Sequence, residues 1–435
     1  MVEGNASQLA ADSGKGRLRR ALAAGVAVCA VSTGALAVPS AKSPPVASTA
    51  QPVAIFGADD RADVPEKYSA LEGKIGMLYE QSTQTLCTAF CVAEGIVATA
   101  AHCLFQPKNN QLPDLGEVTF RLSYGTTQKT SGIAGRNTPF VKNSIAVGTT
   151  AFNNEPPLSA PKDWAVVKLE RPICTFGSLK VQPMPVPEIV EKAQDKKVFQ
   201  VAYHWDYKHW QLAYSQPCRV SRDFDQIKWR FIRQHFLSSD ELLLHTCDTG
   251  GASSGSPLLL DTSTDDEPGS APVAVAINVG TYTRTRILLR QGRIVKRLKP
   301  DIIANTGVNA TAFNRVIEAL EKADLIASRG DMVKLQTELQ ARGFYAGVLD
   351  GSLGRSTRAA IVNFENYSSL TPTGLPTQAL LRRLGEDRVK PSHLFSTGSG
   401  VVNEGSDQAA PRKGPRPGSP RKAKTGTFDP FKQLP

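Results

Sequence analysis

Long hydrophobic runs are scarce in this chain, and the clearest one lies near its amino end. An Ala-rich stretch from Ala21 to Val38 follows three arginines within residues 17–20, and Ala35-Leu-Ala37 has the small-x-small pattern of a signal-peptidase site. The alternative is an uncleaved membrane anchor, because a stretch of this length can just cross a bilayer. The stretch is rich in Ala and Gly and only weakly hydrophobic, which favours a cleaved signal peptide over residues 1–37. After cleavage, we expect no stable insertion into a membrane.

Cysteines in the paired spacing of a zinc site are also missing, which argues against a structural metal. Removal of Cys29 with the signal peptide leaves six others, at positions 87, 91, 103, 174, 218 and 247. An even number in an exported chain predicts disulfides. Six cysteines nevertheless allow about 15 pairings, and their spacing does not choose among them.

Aromatic residues are sparse at 7%, but 41% of the residues are apolar, so a sizeable core can form. The formal net charge of +11 could indicate a nucleic acid or a membrane surface as partner. Residues 411–435, however, hold seven basic residues and one acidic residue, a net +6 that leaves +5 for the rest of the chain. We therefore expect no nucleic-acid partner. Residues 386–435 are predicted to be a disordered basic tail, which either attracts anionic envelope polymers or is simply a solvated end.

The length of 435 residues predicts two or three folded units. Residues 38–54 are rich in Pro, Ser and Ala, as in a linker or propeptide. Residues 55–305 consist of short apolar runs separated by turn residues, which predicts an all-β sandwich or barrel. Residues 306–327 contain an amphipathic helix and a linker, and residues 328–385 are predicted to form a small, mainly helical domain.

Three segments of the β region carry residues suited to nucleophilic catalysis. Gly95-Ile-Val-Ala-Thr-Ala-Ala-His-Cys103 reads as an apolar strand ending in a turn that presents His102, and Asp163 opens another apolar strand. Gly250-Gly-Ala-Ser-Ser-Gly-Ser-Pro257 suits a turn in which backbone N–H groups converge around the Ser254 hydroxyl. A serine becomes nucleophilic when an imidazole takes its proton, and a carboxylate must hold that imidazole in one tautomer. Each segment alone is weak evidence, but the three in this order predict a catalytic triad.

These segments resemble the motifs of chymotrypsin-like serine proteases. Thr99-Ala-Ala-His-Cys103 is similar to the histidine motif, Asp163-Trp-Ala-Val-Val-Lys-Leu169 to the aspartate motif, and Ser254-Gly-Ser-Pro257 to the nucleophile motif of bacterial members similar to glutamyl endopeptidases. Ile55-Phe-Gly-Ala-Asp-Asp-Arg61 resembles the early mature sequence of those enzymes. The resemblance covers about residues 55–305. It implies an all-β double β-barrel, a triad of His102, Asp163 and Ser254 in the cleft between the barrels, and no cofactor.

The chain departs from the family pattern beside the nucleophile. Ser253 replaces the frequent aspartate that receives the newly cut amino terminus in trypsin-type zymogens, which puts that activation route in doubt. Ala252 occupies the usual glycine position of the oxyanion hole, where a positive φ is harder for Ala than for Gly. The resemblance implies the N–H groups of Ala252 and Ser254 as the oxyanion donors.

The substrate pocket is less clearly defined by the sequence. Asp248 lies six residues before Ser254, where trypsins place the acid that selects Lys or Arg, but Asp-Thr at 248–249 also resembles glutamyl endopeptidases. Those enzymes use a pocket histidine, and Asn278 occupies that position here, in the stretch that ends at Gly280. Selection of acidic residues is therefore not expected, and selection of basic residues is slightly favoured.

The family resemblance also bears on the cysteines and histidines. It implies a Cys87–Cys103 disulfide. A Cys218–Cys247 disulfide would brace the loop before Ser254, which leaves Cys91 and Cys174 as the last pair. The remaining histidines have no partner motif, and His204 in particular is interpreted as a packing residue.

Residues 328–385 resemble a small three-helix peptidoglycan-binding module through Leu335-Gln336, Gly343-Phe-Tyr-Ala-Gly347, Asp350-Gly351 and Phe364. We expect helices around Leu335, from a cap at Ser356 to Asn366, and from Thr377 to Leu384. The resemblance implies binding to cell-wall glycan or stem peptide, with Tyr345 and Asp350 as candidate contacts. The alternative is a docking or stability domain that kept only the fold.

Together, these features predict an exported serine endopeptidase, periplasmic, wall-associated or secreted, that acts on protein or peptide substrates and is held at peptidoglycan. Two alternatives remain open: a catalytically inert scaffold bound to the wall, and a hydrolase of peptidoglycan cross-link peptides.

Overall fold

We describe the protein from a computed structural model. The structure describes residues 53–108, 111–122, 136–153, 155–195, 197–208, 211–224, 227–264, 269–284, 287–290, 293–297 and 301–386. The predicted signal peptide, nearly all of the predicted linker at 38–54 and nearly all of the predicted tail at 386–435 lie outside these residues.

Strands are the main regular secondary structure of the described chain before residue 310. In chain order the strands are β1 Ala62–Asp63, β2 Ile75–Glu80, β3 Thr85–Ala93, β4 Ile96–Thr99, β5 Thr119–Leu122, β6 Arg136–Val147, β7 Ala165–Leu169, β8 Val198–Tyr203, β9 Leu212–Ser215, β10 Leu242–His245, β11 Pro257–Leu260, β12 Val273–Arg284, β13 Ile287–Arg290, β14 Arg293–Arg297 and β15 Asp301–Asn309. The α-helices are α1 His102–Phe105, α2 Val186–Lys192, α3 Trp229–Ile232, α4 Asn314–Glu321, α5 Arg329–Ala341, α6 Arg355–Tyr367 and α7 Gln378–Glu386.

The strands form two antiparallel halves. Six of them close into a barrel in the order β2-β3-β4-β7-β6-β5. The second half is a seven-stranded sheet in the order β1-β9-β8-β11-β12-β15-β10, and β13 with β14 forms a separate hairpin. This is the chymotrypsin-like β fold that the sequence predicted, although β15 continues to Asn309, beyond the predicted boundary at residue 305.

The apolar strand runs have a simple packing explanation. Successive side chains of a strand point to opposite faces, so a strand buried on both faces needs an unbroken apolar run. In β11, Leu259 joins the large core that includes the first barrel, whereas Leu258 and Leu260 join a second core that includes α2. The second half of the fold therefore lies between two apolar layers.

The C-terminal helices α5, α6 and α7 form the small helical module that the sequence predicted. Their core includes Leu335, Leu339, Ile361 and Phe364. The predicted cap at Ser356 is wrong: Gly354 is the N-cap of α6, and Ser356 lies inside the helix. Among the described residues, no helix has both the length and the apolar character needed to cross a bilayer.

Candidate active site

The register of the first barrel brings His102 and Asp163 together. Thr99, the last residue of β4, lies opposite Ala165, the first residue of β7. His102 follows β4 by three residues and Asp163 precedes β7 by two, so both side chains emerge at the same end of this strand pair. Antiparallel pairing thus converts a separation of 61 residues into direct contact.

The Asp163 carboxylate binds His102 twice. Its Oδ2 lies 2.7 Å from His102 Nδ1, and its Oδ1 accepts the backbone N–H of His102 at 2.8 Å. Since a carboxylate accepts hydrogen bonds, Nδ1 carries the proton and Nε2 keeps a lone pair that can accept another. The side chains of His102 and Asp163 are only 12% and 9% exposed, so little water competes for this contact.

The loop that carries the candidate nucleophile, residues 248–256 and here called the nucleophile loop, lies between β10 and β11 of the second sheet and contacts β3 of the barrel. Ser254 is partly exposed, and its carbonyl accepts the N–H of Thr88 in β3 at 2.8 Å. The Sγ of Cys103, the residue after His102, lies 3.9 Å from the same carbonyl. Ser254 therefore lies beside β3 and beside Cys103, the residue that follows His102.

Gly255 allows this close approach. Its φ is +85°, and an added Cβ would lie 2.2 Å from both the Thr88 carbonyl oxygen and Thr99 Oγ1. Only glycine satisfies both the backbone angle and the space.

Ala252 has φ +79°, so this alanine adopts the positive φ that the sequence identified as difficult. Its carbonyl accepts the hydroxyl of Thr88 at 2.9 Å, which anchors the turn on β3. The candidate oxyanion donors Ala252 and Ser254 thus lie in one turn, and Thr88 holds both residues: its hydroxyl donates to the Ala252 carbonyl and its N–H to the Ser254 carbonyl.

The candidate pocket residues are located at three different places. Asp248 is buried, and its carboxylate accepts the N–H groups of Phe56 and Asp60 at 2.8 and 3.1 Å. Asn278 is buried below the nucleophile loop, where its Nδ2 donates to the Ser253 carbonyl at 3.1 Å. Gly280 is partly exposed on β12. Asp248 therefore binds the amino-terminal segment, and Asn278 binds Ser253.

Two buried histidines adjoin the site, and sequence reasoning gave neither a role. His204 Nδ1 accepts the N–H of Gly250 at 3.0 Å, and His245 Nε2 lies 3.1 Å from the side-chain oxygen of Asn278. Burial lowers the pKa of His204 to about 3 and that of His245 to about 4, so both are neutral near pH 7. The sequence offered one hint of a role for His245, namely its position just before the nucleophile loop.

The structure contains all three disulfides at the pairings expected from the sequence. Cys87–Cys103 joins β3 to α1, Cys91–Cys174 joins β3 to the segment after β7, and Cys218–Cys247 braces the start of the nucleophile loop. Two groups of His and Cys side chains lie close enough to hold an ion, around His102 and around His245. Their cysteines are all in these disulfides, so no thiolate is free to bind a metal there.

In the helical module, the two candidate contacts have different environments. Tyr345 is buried in the core, and its hydroxyl donates to the Val348 carbonyl at 2.7 Å. Asp350 is exposed, and its Oδ1 accepts from Gln336 Nε2 and from the Ser352 N–H, at 2.9 and 2.8 Å. Gln336 is fully buried and binds this turn from α5. Asp350 is thus the accessible member of the pair.

Comparison with known families agrees with this architecture. Residues 68–259 match the family described as "Trypsin", and residues 328–384 match the one described as "Putative peptidoglycan binding domain". The chain therefore contains a trypsin-like protease domain and a peptidoglycan-binding domain. Among solved structures, that of a Glu endopeptidase in complex with MPD aligns with 62% of this chain and 99% of its own, at 16% identity and a TM-score of 0.40. No match was found among curated proteins. The protease domain thus includes the barrel, and its family match ends within β11.

Proposed function

We propose that the chain is an exported serine endopeptidase in which Ser254 is the nucleophile, His102 the general base and Asp163 the residue that orients His102. The observation that supports this most directly is the double contact of the Asp163 carboxylate with the Nδ1 and backbone N–H of His102. This contact holds the imidazole in the tautomer whose Nε2 can take a proton from a serine hydroxyl.

The proposed reaction has two halves. The Ser254 oxygen attacks the peptide carbonyl carbon while its proton passes to His102 Nε2, and His102 then protonates the leaving amine as the C–N bond breaks. A water attacks the resulting ester, His102 takes the proton of that water and returns it to Ser254, and the acid product leaves. The N–H groups of Ala252 and Ser254 are proposed to stabilise the oxyanion, and losing one such donor typically lowers kcat about 100- to 1000-fold.

We test the triad with a fluorophosphonate probe on the purified full chain, compared with Ser254→Ala and His102→Ala. Labelling that requires both residues is the expected result. Labelling that persists in Ser254→Ala would assign the nucleophile to another residue, and an unlabelled wild-type protein would favour the inert scaffold.

The peptidoglycan-binding domain is proposed to hold the protease at the cell wall. Full-length Ser254→Ala protein should sediment with purified sacculi and not with cellulose particles of similar size, which tests binding without turnover. Active protein should cleave a denatured protein substrate and release no muropeptides from the sacculi. Release of muropeptides would instead identify cross-link peptides as the substrate.

A further inference from the structure

The amino-terminal segment 54–61, here called the N-terminal strap, runs along the start of the nucleophile loop. Ala54 exchanges two backbone hydrogen bonds with Thr249, at 2.8 and 3.0 Å. The Asp248 carboxylate accepts the N–H of Phe56 on one oxygen and that of Asp60 on the other. The strap thus binds Asp248 and Thr249, the first two residues of the loop, and its contacts with Asp248 span 188 and 192 residues along the sequence.

Arg61, the last residue of the strap, is a buried cation at the centre of a charge cluster, and the two carboxylates that bind it are partly exposed. Its side chain is 2% exposed and contacts both oxygens of Asp206, at 3.1 and 2.8 Å, and both oxygens of Asp59, at 2.9 and 2.8 Å. Burial tends to raise the pKa of Asp206, but the hydrogen bond with Arg61, the positive charge of Arg61 and smaller contributions together outweigh it and keep the pKa below its ordinary value. Paired planar contacts of this kind hold their partners in a fixed orientation.

The cluster reaches the nucleophile loop through residues 204–206. His204 accepts the N–H of Gly250, and the N–H of Trp205 donates to the Gly251 carbonyl at 2.6 Å. Asp206 lies so close that a Cβ added to Gly250 would be 1.8 Å from its Oδ1. Residues 248–251 are therefore held from the strap side, immediately before Ala252.

Ser253 needs no incoming amine, because its carbonyl and hydroxyl both accept from Asn278 Nδ2, at 3.1 and 3.3 Å. The buried acid of the loop, Asp248, is likewise satisfied by backbone N–H groups inside the strap. Neither Ser253 nor Asp248 therefore requires a newly cut amino terminus as a hydrogen-bond or ion-pair partner.

We propose that the N-terminal strap orders the oxyanion turn as an internal segment of the chain, with Arg61 and Asp248 as positioning residues and no requirement for a free amino terminus. The proposal rests on the proposed function, because it concerns the turn that carries Ala252 and Ser254. It also removes Asp248 from the substrate pocket, so the protease does not select Lys or Arg through this acid.

The first experiment compares Arg61→Ala and Arg61→Lys with wild-type protein, using Arg230→Ala as a control on an exposed arginine of α3. Displacement of the turn should lower kcat about 10- to 100-fold with little change in KM, which is less than complete loss of an oxyanion donor. Arg61→Lys should restore part of kcat, because an ammonium keeps the charge but not the paired contacts. Equal kcat values in wild-type and both Arg61 variants would overturn the proposal.

The second experiment separates positioning from specificity. In Asp248→Asn, an N–H₂ group replaces one carboxylate oxygen and faces a backbone N–H of the strap, so one hydrogen bond is lost. If Asp248 positions the loop, kcat should fall by the same factor for peptides with Lys, Gln or Leu before the scissile bond. A loss confined to the Lys peptide, seen as a raised KM, would return Asp248 to the pocket and overturn the proposal.

The third experiment addresses the amino terminus directly. Protein that starts at Val38 and the same protein behind an uncleavable fused domain should have equal kcat/KM, with the fusion shown intact by mass spectrometry after the assay. Activity that appears only after the fusion is cut would overturn the proposal. Wild-type protein that fails to label with fluorophosphonate even with a free amino terminus would count against the proposed function instead, so the two failures differ.

Discussion

Arg358, in helix α6 of the peptidoglycan-binding domain, donates a hydrogen bond to the backbone carbonyl of Ile145 in β6 of the barrel. Its guanidinium also lies 5.8 Å from the ring of Phe105, the last residue of the helix that begins at His102. Asn143 adds a second link by donating to the Ile326 carbonyl at 3.0 Å. The peptidoglycan-binding domain is therefore in direct contact with β6 of the barrel and with the helix that begins at His102.

Replacement of Arg358 by alanine should weaken this contact. Burial lowers the pKa of Arg358 to about 10, and loss of a hydrogen bond from a charged group costs about 1.5–3 kcal/mol. In wild-type protein we expect the domains to unfold together in urea. In Arg358→Ala, the helical domain should unfold at a lower concentration than the barrel.

Two probes can separate these transitions. All four tryptophans precede residue 230, so their fluorescence reports on the protease domain. Circular dichroism at 222 nm reports on helices, and the three longest helices of the described chain, α5, α6 and α7, lie in the C-terminal domain. Arg355→Ala, on the exposed start of α6, is the matched control and should leave the two curves coincident. Coincident curves in Arg358→Ala would show that other contacts couple the domains.

Asp163→Asn tests the orientation of His102. An asparagine offers one acceptor oxygen and one N–H₂ group, so it cannot accept from both the Nδ1 and the backbone N–H of His102. The imidazole should turn to the tautomer with its proton on Nε2, and kcat should fall about 10⁴-fold with little change in stability. Asp114→Asn, at an exposed turn, is the control for the chemical change and should retain full activity. A fall in kcat of less than tenfold would argue against Asp163 as the orienting residue.

Local patterns were sufficient to predict much of the fold. Segments such as Gly95–Ala100 and Trp164–Leu169 became strands β4 and β7, because a strand buried on both faces demands the unbroken apolar runs that the sequence displays. The contact between His102 and Asp163 was also predictable, since both residues adjoin strands with recognisable motifs. Ser356 was mistaken for a cap because a serine before an apolar pattern is a common cap, whereas Gly354 is the N-cap of α6.

The contacts between distant segments could not be predicted in the same way. Asp248 was interpreted as a pocket acid because its partners, the N–H groups of Phe56 and Asp60, are backbone groups that leave no trace in the sequence pattern. Arg358 gave no signal either, because a charged residue on a helix is normally solvated and its acceptor is a carbonyl 213 residues away. The resemblance around Ile55–Arg61 was the available hint, since it showed that this segment belongs to the protease domain.

Gly255→Ala should disrupt the nucleophile loop, because the new Cβ would clash with Thr88 and Thr99 at a positive φ. Gly269→Ala is a matched control, since Gly269 has φ +88° and no atom within 4 Å of an added Cβ. The control should lose about 1 kcal/mol of stability from backbone strain alone. Gly255→Ala should lose at least about 3 kcal/mol and all fluorophosphonate labelling, because backbone on both sides must move. Equal losses in the two variants, measured by urea unfolding, would mean that the loop has room to shift.

The two buried histidines should make the protein sensitive to mild acid. Burial lowers the folded-state pKa of His245 to about 4 and that of His204 to about 3, whereas an unfolded histidine titrates near its ordinary pKa of 6.5. Below about pH 6.5 the unfolded chain therefore binds protons that the folded chain does not, so stability is fully present above that pH and falls as the pH drops towards 4. Each histidine contributes up to about 1.4 kcal/mol per pH unit to this slope.

His245→Gln should make the slope shallower, because an amide N–H can still donate to the Asn278 side-chain oxygen but cannot titrate. The measurement is the free energy of urea unfolding, followed by tryptophan fluorescence at intervals from pH 8 to pH 5. Asn309→Ala is a suitable control: it removes a hydrogen bond of 2.8 Å to the Met184 carbonyl, which should lower stability at every pH without changing the slope. If His245→Gln instead keeps the wild-type slope, protonation of His245 is not the source of the acid sensitivity, and His204, which faces Arg61, Asp59 and Asp206, becomes the group to test.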